Sequence, residues 1–190
     1  MLAFGILLFI QTAGEATSAC ADEKSRLSSY YHAPHACEYL NYSSIAYTAT
    51  YRASLIPRPG RQQIVVYQHN DGWRMRLAGY SWEIDTNTVI TRRRELDLSE
   101  EDVKKIPLHI NYQKLDDLAE EPYYGSGDLI CLDGAELEIA IAEDGRFASA
   151  ARHTCSNFRS VDQLTNILWE LAIQKDPSFE GLLYALKLED

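Results

Sequence analysis

The chain has 190 residues, 46% of them hydrophobic and 24% charged, a balance that supports a packed core and excludes wholesale disorder. Its formal net charge of −10 and isoelectric point near 4.9 argue against non-specific binding to nucleic acid or anionic membranes, whose phosphates call for a basic surface. No glycine-rich dinucleotide fingerprint, P-loop, GxSxG or HExxH pattern occurs, so the common nucleotide, hydrolase and metalloprotease signatures are missing.

Residues 2–10 (LAFGILLFI) are a short apolar run, followed by small residues up to Ala21. The pattern predicts a secretory signal peptide over residues 1–21, cleaved at the small-x-small triplet Ala19-Cys20-Ala21. The run is too short for a transmembrane helix, which needs about 20 apolar residues. Cleavage after Ala19 would instead leave Cys20 first and open to a lipid anchor, but Thr17 stands where a lipobox has an apolar residue. The predicted location is therefore periplasmic or secreted.

An oxidising compartment allows the four cysteines three pairings, among which sequence cannot choose. Proximity favours a disulfide between Cys131 and Cys155. Residues 22–43 read as a polar, tyrosine-rich N-terminal arm. Within it His32, His35 and Cys37 have side chains suited to zinc or copper, but a turn at Pro34 with Cys37 in a disulfide is the preferred account. No cofactor is expected.

The domain proper is expected over residues 44–190, with sub-halves at 44–121 and 122–190. Ser44 to Leu55 alternates as a half-buried strand, Pro57 to Gly60 is a turn, and Gln63 to Gln68 is a second strand. Asn70-Asp71-Gly72 turns the chain into Trp73–Tyr80, where Trp73, Met75 and Leu77 share one face and Arg74 and Arg76 the other. The β pattern continues through Trp82–Asp85 and Val89–Leu96. Arg92, Arg93 and Arg94 are the basic run of an acidic chain. Arg92 and Arg94, on one face of their strand, are candidate binding residues for an acidic partner, with Arg93 turned away. A solvated face opposite Glu95 and Asp97, which needs no partner, is the preferred account of the run.

Ser99 caps a helix whose first turn is acidic, Val103 and Ile106 face inward, and Pro107 stops or kinks it. Residues 109–121 permit further helical turns. Tyr123 and Tyr124, beside Gly125 and Gly127, form a loop that can line a binding site. Asp128 to Cys155 reads as a disulfide-closed meander: strands at Leu129–Leu132, Ala135–Ala142 and Arg146–His153, with turns at Asp133-Gly134 and Glu143-Asp144-Gly145. His153 with Arg152, near Asp133 or Glu136, is the candidate acid–base set. Ser160 and Gln163 form a capping box for an amphipathic helix to about Gln174, and Phe179 to Leu188 reads as a short terminal helix.

Strands segregated from helices indicate an α+β fold: an antiparallel meander with helices packed on one face, arranged as two meander-plus-helix halves. From about Val89 to Lys175 the order of features resembles a loose group of small exported bacterial proteins. Those features are a strand ending in LDLSEEDVKKI, the CLDG turn, a hairpin ending in RHTC, and a closing amphipathic helix. The resemblance covers under half the chain, implies a periplasmic or surface location, and carries no activity.

The expected function is a non-enzymatic exported module, inhibitor- or immunity-like, that binds a protein or envelope component. The alternatives are an enzyme using His153 and Arg152 with nearby carboxylates, and a small-ligand or lipid carrier with an apolar cavity.

Overall fold

A computed structural model describes residues 45–53, 61–83, 85–86, 88–119, 135–144, 146–153 and 159–188. The signal region, Cys20, the arm with His32, His35 and Cys37, the Tyr123–Tyr124 loop, the strand expected at Leu129–Leu132, Cys131, Asp133 and Cys155 lie outside the described residues.

Among the described residues six strands form one antiparallel sheet: β1 (Ile45–Ala53), β2 (Arg61–His69), β3 (Gly72–Glu83), β4 (Thr88–Leu98), β5 (Ala135–Glu143) and β6 (Arg146–His153). Their order is β4-β3-β2-β1-β5-β6. The first four make a meander, and the β5–β6 hairpin returns to pair with β1. Strand β1 is thus hydrogen-bonded on both sides, with Tyr47 between Val66 of β2 and Ile141 of β5. The two expected halves share a single sheet. The β pattern read through Trp82 runs on as the end of β3, to Glu83.

Short helices follow β4: α1 (Glu100–Val103), α2 (Ile106–His109) and α3 (Tyr112–Ala119). The long α4 (Arg159–Lys175) follows β6. Ser99 closes a reciprocal box with Asp102 at the start of α1, as its position and the acidic first turn predict. Pro107 opens α2 instead of stopping α1, because its missing N–H costs nothing in a first turn. Asn111 accepts from the Lys114 N–H at 3.0 Å and starts α3. Helix α4 begins at Arg159, which places Ser160 inside the first turn and not at the cap.

Period-two alternation sorts each strand between two faces. The main core joins Tyr47, Ile64, Met75, Leu77, Ile139 and Ile141 to the inward residues of α1–α4. Ala46, Val65, Tyr67, Ala140 and Ala142 form a smaller buried cluster on the opposite face. Beneath α4, the buried Arg152 donates from Nε to Asp162, tying β6 to the first turn of the helix.

After α4 the chain does not form the expected terminal helix. It makes two 3-10 turns, Pro177–Leu182 and Tyr184–Leu186. The buried residues Phe179, Leu182, Leu183 and Leu186 include pairs three apart, which a three-residue turn stacks on one side. This C-terminal strap presses Leu182 onto Gly79 of β3. A Cβ on Gly79 would meet the Leu182 Cβ at 2.6 Å and its carbonyl oxygen at 2.7 Å. Replacing Gly79 with alanine is expected to destabilise the fold by about 1–3 kcal/mol, the cost of an overpacked contact. Urea unfolding monitored by tryptophan fluorescence measures it.

Candidate interaction edge

Strand β4 ends the sheet, with β3 on one side and, among the described residues, no strand on the other. Its sequence, TVITRRRELDL, begins with β-branched residues, which fit a pleated strand, and continues with charges that need solvent or partners. Beyond Ala78, β3 pairs among the described residues with β4 alone, so Gly79–Glu83 and Thr88–Arg92 form a two-stranded ribbon there. Every residue of β4 from Thr88 to Arg94 is exposed. Val89 and Ile90, which alternation sends to opposite faces, are 42% and 41% exposed.

On the core face, Ile90, Arg92 and Arg94 lie in register with Ser81, Gly79 and Leu77. The strap closes over the two arginines. Arg94 Nη1 donates to buried Asp176 at 2.7 Å, and Arg92 Nη2 lies 3.7 Å from the same carboxylate oxygen. The Arg92 guanidinium also donates to the Ser178 hydroxyl and stacks 4.3 Å from the centre of the Phe179 ring. The Asp176 carboxyl is held below the usual range, first by the Ser178 hydroxyl bond; burial opposes this, while the Ser178 N–H, Arg94 and Arg92 add to it.

The opposite face of β4 is arranged differently. Glu95 accepts from Arg76 Nε at 3.1 Å, Arg76 Nη2 at 2.8 Å and Arg74 Nη1 at 3.3 Å. Arg74 also pairs with Asp71 at 2.9 Å and approaches Asp97 at 3.8 Å. The Arg76 bond is the largest cause of a lowered Glu95 pKa. The neighbouring strand's arginines are therefore spent on carboxylates and do not enlarge the Arg92–Arg94 patch. Arg93, across from Ala78 and exposed, has no ion-pair partner among the described residues.

The other residues singled out from sequence fall elsewhere. Arg152 is committed to Asp162, and register sets His153 opposite Glu136 at the far end of the sheet from β4. Tyr47 is buried and stacked on Trp73 at 6.4 Å between ring centres. Burial first and then Glu143 raise its phenol pKa well above the ordinary range, which leaves it neutral at physiological pH. Among the described residues no three His, Cys, Asp or Glu side chains are grouped to hold a metal, and no helix is long and apolar enough to cross a membrane.

Sequence reasoning identified Arg92 and Arg94 but missed Asp176 and Ser178, more than 80 residues away, and did not weigh Arg93 as a site. It also missed Val89 and Ile90. A β-branched pair running into a basic triplet was a usable sign of an edge strand, since charge is how exposed edges are guarded. No family model matches the chain, and comparison with curated proteins finds no match.

The lowered Asp176 pKa fixes the sign of a pH effect. A carboxylate with a folded pKa below its unfolded value contributes stability fully above the unfolded value, and that contribution is lost as pH falls through the folded one. Asp176→Asn is expected to cost about 1 kcal/mol at neutral pH, given the exposure of both arginines. The variant and wild-type curves should draw together as pH falls below about 4, the unfolded carboxylate value, and meet once it has passed the lower folded one. Urea unfolding across pH 2–7, on the order of one titration point per half unit, checks both statements.

Proposed function

We propose that this chain is an exported, non-enzymatic interaction module, inhibitor- or immunity-like, and that it engages a protein or envelope component through the β3–β4 ribbon. The observation that carries this reading is the exposure of Val89 and Ile90 on the two faces of an edge strand. A two-stranded ribbon with apolar residues exposed on both sides gains stability from contact. The strap adds to the reading, because Gly79, Leu182, Phe179 and Asp176 fix the base of the ribbon. A surface held rigid before contact loses less entropy on binding. Export rests on the apolar run and small residues of the first 21 positions.

An affinity capture from native envelope extract at low salt tests the reading with three baits. The wild-type chain and Leu108→Asp, which changes an exposed leucine on α2, are expected to retain the same partner. Ile90→Asp is expected to lose it by about tenfold or more, as for a central apolar contact. A partner retained by Ile90→Asp, or no specific partner for wild type, contradicts the proposal.

A further inference from the structure

We infer that the partner enters as an extended acidic segment, which adds an antiparallel strand to the edge of β4 that no described strand occupies. This inference rests on the proposed role of the β3–β4 ribbon and names the kind of partner that it fits.

The first observation is the contrast between the two ends of the sheet. Helix α3 runs close against β6, whereas β4 is exposed on both faces from Thr88 to Arg94. Beyond its partner β3, the strand has an outer row of backbone donors and acceptors, the template that strand addition uses. Its 11 residues are ample for such pairing. Neighbouring strands throughout the sheet are antiparallel, and antiparallel pairing is the slightly more stable kind per residue.

Charge supplies the second observation. Arg92 and Arg94 share the one carboxylate of Asp176 and remain 42% and 52% exposed at their side chains, while Arg93 has no carboxylate among the described residues. Three guanidinium groups therefore stand on the edge strand of a chain whose net charge is −10. Unpaired basic or neutral strands are disfavoured there, and acidic ones are selected.

Alternation then specifies the segment. Residues opposite Arg94, Arg93 and Arg92 fall on alternate faces, so all three need acidic side chains. After one intervening residue opposite Thr91, an apolar pair meets Ile90 and Val89. Read from its own N-terminus, the antiparallel guest is acid-acid-acid-x-apolar-apolar. A second copy of this chain fits less well. A two-fold register centred on Arg92, Arg93, Arg94 or Glu95 sets that charge opposite its own duplicate, and two acidic chains repel.

The test uses two synthetic peptides flanked by threonines: one with three glutamates, a threonine and two valines, and one with lysines for the glutamates. Each is titrated to millimolar concentration into the isotopically labelled full chain, and backbone amide shifts are followed by NMR. The glutamate peptide is expected to shift the amides of Thr88–Arg94 and to bind about tenfold more tightly than the lysine peptide. Arg93→Glu is expected to weaken the glutamate peptide by a similar factor; its melting temperature, set beside that of wild type, confirms that the fold is intact. No shift at millimolar peptide, equal binding of both peptides, or shifts confined to other elements would overturn the inference. So would sedimentation showing a dimer whose β4 amides are already protected. If capture of a native partner still depends on Ile90 while the peptides fail, strand addition falls and the interaction-module reading stands. Capture that ignores Ile90 removes the module's site whatever the peptides do.

Discussion

An open sheet must end twice, and each end leaves a row of backbone groups without strand partners. The architecture follows from how the two ends are treated. The β5–β6 end comes close against α3, and its buried Arg152 ties it to α4 through Asp162. Among the described residues the β4 end has no helix alongside it; its protection is charge, with basic side chains emerging on both faces. Solubility of an exposed edge and selectivity for what joins it thus arise from the same residues.

The charges on β4 are divided with little redundancy. Alternation and register give Glu95 to Arg76 and Arg74, and they give Arg92 and Arg94 to Asp176 in the strap. The first set joins β3 to β4 on one face, and the second joins β4 to the C-terminal turns on the other. Each exposed pair contributes modestly in water. Their larger effect is geometric, because Asp176 also caps the turn that carries Phe179 and Leu182 to the ribbon. The close approach at Gly79 completes that seat. The ribbon is therefore fixed at its base and exposed towards Val89 and Ile90.

Local patterns in the sequence carried much of the fold. Alternation located the strands, Asn70-Asp71-Gly72 located a hairpin, and Ser99 located a helix start, since each depends on residues within a few positions. The C-terminal turns were less legible: the spacing of Phe179, Leu182, Leu183 and Leu186 suits an α-helix and a 3-10 turn alike, and contact with Gly79 is a tertiary constraint. The same holds for the candidate site. The alternation of the arginine triplet could be read directly, as could the separation of Arg93 from its neighbours. That β4 is an edge depends on β1 pairing with β5 more than 80 residues later, a long-range choice that no local pattern encodes. Likewise the partner of Arg152, Asp162 in the first turn of α4, could not be read from the pattern around His153.

The central claim is that β4 has a free backbone edge in the isolated chain. Amide hydrogen exchange measures this residue by residue, because alternate amides of an edge strand point towards the neighbouring strand and away from it. Alternation is expected along Thr88–Arg94: slow exchange at amides bonded to β3 and fast exchange at those facing outward, with the fast set becoming slow when a partner strand is bound. Uniformly slow exchange along β4 in the isolated monomeric chain would contradict it.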